Sequence, residues 1–443
     1  MTDEPLAADR VVRGRILTFD GPAVEDGHRL LQDGAIAVSR GLIAAVGEAA
    51  AILARTGAGV PVDDHRGRLV LPGLVDTHIH YPQTRVIAAA AAGVLEWLHR
   101  YTFVEEQRFF DPGHAERVAE FFLDELLRQG TTTAAVYCTV HPASVEAFFT
   151  ASERRGTRMI AGKVMMDRNA PEALTDTADA GYHDSRALLT KWHGRGRQLY
   201  AITPRFAITS TPAQLEACGA LAREFPSARI QTHLCENRDE IALVRQLYPS
   251  ALSYADVYRR FGLLGERTIL GHCIHLDDGE IDILARSRSV AAFCPTSNLF
   301  LGSGLFDLGR LRSHDPPVRV ALATDVGGGT SYSMLRTADE AGKVLKYRGV
   351  QWTALAAFHM MTRGNAEALG LEGVIGSLAP GLEADMVVLD ARATPAMAHR
   401  FERVDGLENE LALLIALGDD RCVRETYVAG ARRSGAVSRQ SGP

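Results

Sequence analysis

Eight apolar runs of strand length alternate with helix-length amphipathic stretches, and few folds accommodate that alternation. The runs are "GLVDTHIH", "TTTAAVYC", "RMIAGKVMM", "LYAITPRF", "RIQTHLCE", "TILGHCIHL", "SVAAFCPTS" and "VALATDVGG". Between them lie segments such as "HAERVAEFFLDELLRQG" and "STPAQLEACGALAREF", whose apolar residues recur at helical spacing. Strands that are apolar almost throughout are buried on both faces, as in parallel sheets joined by helical crossovers. Eight such units predict an α/β fold, a (β/α)₈ TIM barrel, over residues 71–377.

The two ends read differently. "DRVVRGRILTF", "GAIAVSRGLIAAVG" and "GRLVLP" are short strand-like pieces separated by turn residues, and "ADMVVLDA" and "RETYVAGARR" resume that style. Residues 1–70 together with 378–443 predict one small β-sandwich domain built from both termini, with the tail "SGAVSRQSGP" frayed. Lys+Arg number 48 against Asp+Glu 54, so no basic surplus points to nucleic acid or an anionic membrane. "MTDEPLAADR" lacks the basic and apolar regions of a secretory signal, and "VIAAAAAGVL" is too short to span a bilayer; the expectation is a cytoplasmic protein. No two of the six cysteines form C-x-x-C, which favours reduced core thiols over a disulfide framework or zinc knuckle.

A barrel of this kind carries its chemistry at the C-terminal ends of its strands. Those ends hold His78 and His80, Arg205, His233 and Glu236, His272, and Asp325. Side chains alternate along a strand, so His78 and His80 share a face and can share a metal ion. A lone H-x-H pair is a weak sign. Histidines ending strands five and six and a carboxylate ending strand eight strengthen it. Three histidines and one carboxylate suit zinc with a position left for water, and iron(II) accepts the same donors. Zinc lowers the pKa of bound water from 15.7 toward about 7. Glu236, three residues past His233, can then carry protons, and Asp325 can ligate the metal and take the first one.

Other motifs fall away. "HAE" at His114 matches half of a zinc-deaminase signature of another fold, but no P-C-x-x-C follows, so it reads as a helix start. H-E-x-x-H, G-x-S-x-G and a Walker loop are absent, and "GGG" at 327–329 is a loop after strand eight. "LYAITPRF" has no lysine to bridge two metals, and Lys163 on strand three reads as structural, so one metal is the better reading.

The pattern resembles the amidohydrolase superfamily: H-x-H on strand one, histidines on strands five and six, aspartate on strand eight. The closer resemblance is to its guanine deaminase family. It runs from "LVLPGLVDTHIHYPQ" through "LEWLHRYTF", "GTTTA", "AGKVMMDRNAP", "ITPRFA", "THLCEN", "FCPTSNLFLGSGLF" and "TDVGGGTS" to "LAPGLEADMVVLD". "HYPQ", "MMDRNAP", "PRF" and "SNLFLGSG" are its most specific parts. The chain departs from the family at Val104 and Ile208, where proline is expected, and in "DVGGGT".

The resemblance implies one Zn2+ per chain held by His78, His80, His233 and Asp325. It makes Glu236 the proton shuttle and His272 the residue that positions water. Gln83, Arg205 and Phe206 would form a purine pocket, with His80, His233, Glu236 and Asp325 also facing the base. Trp97, Leu74 and Met166 read as packing. The implied reaction is guanine plus water giving xanthine and ammonia, in a homodimer. Arg205 can donate to the guanine carbonyl, Gln83 can donate and accept, and Phe206 offers a ring face. The rival readings are a sister enzyme acting on another aminated ring, such as an oxidised purine, a pterin or a triazine, and a non-catalytic scaffold.

Overall fold

The computed structural model describes residues 5–21 and 24–433, so the tail expected to fray lies outside the described residues. The eight apolar runs form the eight barrel strands. In order they are Leu74–His80, Thr131–Tyr137, Arg158–Gly162, Leu199–Pro204, Arg229–Leu234, Thr268–His272, Val290–Phe293 and Arg319–Leu322. They lie side by side in chain order and every ladder is parallel. Strands one, two, five, six and seven are buried along their whole length, which is why their sequences do not alternate.

Local chemistry sets the crossover helices. Asp111 caps Pro112–Arg128 by accepting from the Gly113 N–H, and Pro112 supplies a first turn that needs no donor. The helix buries Ala115, Val118, Phe122 and Leu126 along one face. Each large apolar side chain so buried contributes about 1.5–3 kcal/mol. Asn237 with Glu240 and Asp277 with Glu280 form capping boxes at the helices after strands five and six. Between strands three and four the backbones approach closely. A Cβ on Gly162 would sit 1.7 Å from the Ala201 carbonyl oxygen, so only glycine fits. Lys163 follows and turns aside to pair with Asp176, away from the barrel mouth.

Strand eight meets strand one through a mixed seam. The Asp325 N–H donates to the His78 carbonyl (2.9 Å) and the His80 N–H to the Val326 carbonyl (2.7 Å). Lower down, Asn365 spans the two strands. Its Nδ2 donates to the carbonyls of Val75 (2.7 Å) and Leu322 (2.8 Å), and its Oδ1 accepts from the Leu322 N–H (2.9 Å).

Both ends of the chain enter one seven-stranded sheet, in the order Ala431–Arg432, Val423–Val428, Met386–Leu389, Val62–Pro72, Arg10–Phe19, His28–Ser39, Leu42–Glu48. Apolar side chains from its strands are buried in three clusters, one of them the main core, which Leu17, Phe19, Leu69, Leu71, Val387 and Leu389 join. Val62–Pro72 reaches past residue 70, and only Gly73 separates it from barrel strand one. Arg158 and Arg197, at the starts of barrel strands three and four, pair with Glu383 and Asp385 and tie sheet to barrel. All six cysteines are buried and unbridged. Among the described residues no helix is long and apolar enough to cross a membrane.

Asn365→Ala should strip partners from one buried N–H and two buried carbonyls at the seam. The expected loss is about 2–5 kcal/mol, read as a lower midpoint in urea or thermal unfolding with the far-ultraviolet dichroism of the folded state preserved.

Candidate active site

At the barrel mouth His78, His80, His233, His272 and Asp325 converge. His78 Nε2 and His80 Nε2 lie 3.2 Å apart, and each is 3.3 Å from Asp325 Oδ1. Tetrahedral ligands at bond lengths of about 2.0–2.1 Å are separated by about 3.3 Å. The triangle is therefore the size that one such ion requires. Ring nitrogens of His78, His80 and His233 also fall within 4.8 Å of one another.

The protonation states suit ligation. His233 Nδ1 is 2.7 Å from the Arg205 carbonyl, which can only accept, so Nδ1 carries the proton and Nε2 keeps its lone pair. Burial pushes the His80 imidazole down to about 3. Burial, then the neighbouring imidazoles, hold His233 well below its ordinary value. Burial would raise Asp325, but hydrogen bonds from His78 and His80 outweigh it and keep the carboxyl well below the usual range. His80 and His233 are thus neutral imidazoles beside an ionised Asp325 carboxylate, and the histidines with this aspartate are a donor set that fits a borderline divalent cation.

Backbone conformation aims these groups. Cys235, His272, Cys273 and Asp325 all adopt left-handed φ, between 51° and 71°. The bend at Cys235 ends strand five and returns Glu236 over the cavity, 5% exposed. Its Oε1 accepts from Ser303 Oγ (3.0 Å), and its Oε2 is 3.4 Å from His272 Nε2. His272 Nδ1 is 2.9 Å from Asn298 Oδ1, which leaves Nε2 for Glu236 and, 3.8 Å away, Asp325. Burial, then the Asp325 charge, pushes Glu236 up to about 8, against the opposing pull of Ser303 and Arg205. Glu236 is therefore a carboxyl that can hold and release a proton near neutrality.

Polar, aromatic and aliphatic side chains complete the cavity. His80, Gln83, Arg205, Phe206, His233, Glu236, His272 and Asp325 all line one cavity with Val94, Trp97, Leu98 and Leu301. His78 sits behind His80, fully buried. The structure thus brings together His78, His80, Gln83, Arg205, Phe206, His233, Glu236, His272 and Asp325, and leaves Lys163 and His114 outside. It adds several that sequence reading left out. Asp76 accepts from the His78 and Thr324 N–H groups and the Thr324 hydroxyl, and so locks strand one to the turn that presents Asp325. Its signal was its place two residues before His78, on the same strand face. Asn298 and Ser303 lie inside "SNLFLGSG", which was read as a family mark and not as two supports. Trp97, read as packing, lines the cavity with its indole N–H unpartnered. Glu106, an acid inside the helical stretch "YTFVEEQRFF", pairs with both Gln83 and Arg205.

The profile of the amidohydrolase family matches residues 69–433. The chain belongs to the amidohydrolase family. Guanine deaminase from Escherichia coli K12 is 46% identical over 426 residues, covering 95% of this amidohydrolase and 97% of that protein. The solved structure of E. coli guanine deaminase superposes with a TM-score of 0.94 at 45% identity, covering 96% of this chain and 99% of that one. A crystal structure of guanine deaminase from C. acetobutylicum with bound guanine in the active site gives a TM-score of 0.84 at 27% identity, with 96% and 99% covered.

The triangle of His78, His80 and Asp325 predicts that His80→Ala abolishes stoichiometric binding of a divalent metal. Elemental analysis of the purified, metal-exposed variant beside the unmodified amidohydrolase reads this directly. Equal metal in both would remove His80 from the ligand set.

Proposed function

We propose that this chain catalyses the hydrolytic deamination of guanine to xanthine and ammonia, with one zinc ion per chain held by His78, His80, His233 and Asp325. The observation that carries this reading is a single cavity in which a metal-ligating group, a proton-holding carboxyl and the Gln83–Arg205 pair face one another. The similarity to guanine deaminases along nearly the full chain supports it, as does the guanine bound in one of those related structures. On the same reading the β domain of residues 1–70 plus 378–443 flanks a catalytic barrel of 71–377, and the enzyme is a cytoplasmic homodimer.

A zinc ion supplies the Lewis acidity that makes water nucleophilic at neutral pH. The rest falls to the chain. Arg205 donates to the guanine carbonyl, Gln83 offers one donor and one acceptor to the ring edge, and Phe206 packs beside the base. These contacts hold the amine-bearing carbon against the metal group and Glu236. The water oxygen bonds to that carbon while Glu236 takes a water proton. Glu236 returns the proton to the ring nitrogen beside the carbon. The carbon–nitrogen bond to the amine then breaks as the second water proton, on the hydroxyl now bonded to that carbon, passes through Glu236 to the leaving amine; the oxygen stays as the new carbonyl and ammonia departs. His272 orients the water and the Glu236 carboxylate, with Asn298 fixing its tautomer. Asp325 stays ionised and able to ligate while Glu236 carries the proton.

The decisive assay is ammonia release from guanine by zinc-replete protein. Its absence, with turnover of another aminated ring, would transfer the reading to a sister substrate. Glu236→Gln keeps shape and loses the transferable proton. Zinc content and purine binding should stay near normal while turnover falls by about 10²–10⁴-fold. Wild-type turnover in that variant would move the proton role to Asp325 or His272.

A further inference from the structure

Glu106 is not used by the chemistry above, yet it is a buried charge that holds two residues of the cavity wall, Gln83 and Arg205. It is 1% exposed, on the short helix Phe103–Glu106. Its Oε2 accepts from Arg205 Nη1 at 2.7 Å and its Oε1 from Gln83 Nε2 at 3.0 Å. Gln83 Oε1 in turn accepts from the Gly327 N–H at 3.2 Å. Arg205 and Gln83 are themselves 3% and 2% exposed, so little water screens the group.

Two consequences follow from donor and acceptor chemistry. A carboxylate only accepts and a backbone N–H only donates. The Gln83 amide is therefore held in one orientation, because a flip would set oxygen against oxygen and N–H against N–H. One Nε2 hydrogen and one Oε1 lone pair remain for a ligand. Second, the carboxylate balances the guanidinium. Without it a buried, uncompensated cation would stand in the pocket wall and attract anions.

We propose that Glu106 is a specificity-determining positioning residue that fixes the polarity of Gln83 and cancels the charge of Arg205, so that the pocket takes a neutral oxopurine in preference to an anionic one. The inference rests on the guanine reading for its substrate and on the geometry alone for the role of Glu106.

The test compares wild type, Glu106→Gln and Glu106→Asp in the zinc-loaded protein. Guanine turnover is measured together with inhibition by hypoxanthine, a neutral oxopurine, and by urate, an oxopurine anion at neutral pH. Zinc content and melting temperature are recorded for each. In Glu106→Gln, kcat/KM for guanine should fall about ten- to hundredfold, the scale of a lost charge-assisted hydrogen bond, mostly through KM. Hypoxanthine should weaken to match, while urate holds or tightens. Glu106→Asp, which keeps the charge, should restore the preference for hypoxanthine over urate. A structural role would weaken both inhibitors in proportion, and that outcome overturns the proposal. So does an unchanged ratio in Glu106→Gln, or its loss in Glu106→Asp. If wild type releases no ammonia from guanine, the substrate reading fails, and the hypoxanthine–urate ratio still decides Glu106.

Discussion

The seam between barrel strands one and eight is the contact on which everything else rests. It is not an ordinary ladder. Backbone bonds tie His78 and His80 to Asp325 and Val326, and the Asp76 carboxylate gathers the amides of His78 and Thr324. The same bonds that close the cylinder therefore set the spacing of His78, His80 and Asp325. Closure and ligation are one geometric fact. A sheet left open at this edge would separate the paired histidines from the carboxylate, and the site would not exist.

Holding that geometry has a cost. Left-handed φ at Cys235, His272, Cys273 and Asp325 disfavours the backbone by about 1–3 kcal/mol at each non-glycine position. Surrounding bonds offset it: the Cys273 N–H reaches the Leu234 carbonyl, and the Asp325 carbonyl accepts from Gly329. The gain is direction. Straight strands would carry Glu236 and Asp325 past the cavity, whereas the bends turn them over it. Rigid supports from Ser303, Asn298 and Glu106 then keep the acid, the imidazole and the recognition pair in register.

Much of this was legible in the chain, for identifiable reasons. Eight buried strands must be apolar along their length, so the barrel announced itself by the absence of alternation. Ligands at strand ends stand out because histidine and aspartate interrupt those apolar runs. The supporting groups were hidden. Glu106 sits in a helical stretch with ordinary charge content, and nothing in "FVEEQ" distinguishes Glu106, which holds Gln83 and Arg205, from the likewise buried Glu105, which pairs with Arg108. Asn298 lies on the short helix Pro295–Phe300 and Ser303 just past it, and the sequence does not reveal which of their side chains turn inward. The left-handed residues were equally silent, because cysteine, histidine and aspartate carry no local preference strong enough to mark a bend. Position in the strand pattern exposes the polar groups at the strand ends, whereas the groups that hold them depend on tertiary neighbours.

The order of strands in the terminal sheet bears on how the protein is made. Val62–Pro72 pairs with Met386–Leu389, segments more than three hundred residues apart, and barrel strand one waits for strand eight in the same way. A ribosome releases the early strands long before their partners exist. During that interval Val62–Pro72 presents, at its apolar end Leu69–Pro72, an unpaired edge of the kind that invites pairing with other chains. Its first half reads "VDDHRG", charged and broken by glycine, and only "RLVLP" is sticky. The part left waiting for Met386–Leu389 is thus the apolar end, Leu69–Pro72, and the closing of sheet and barrel depends on contacts of high sequence separation, the kind that form slowly.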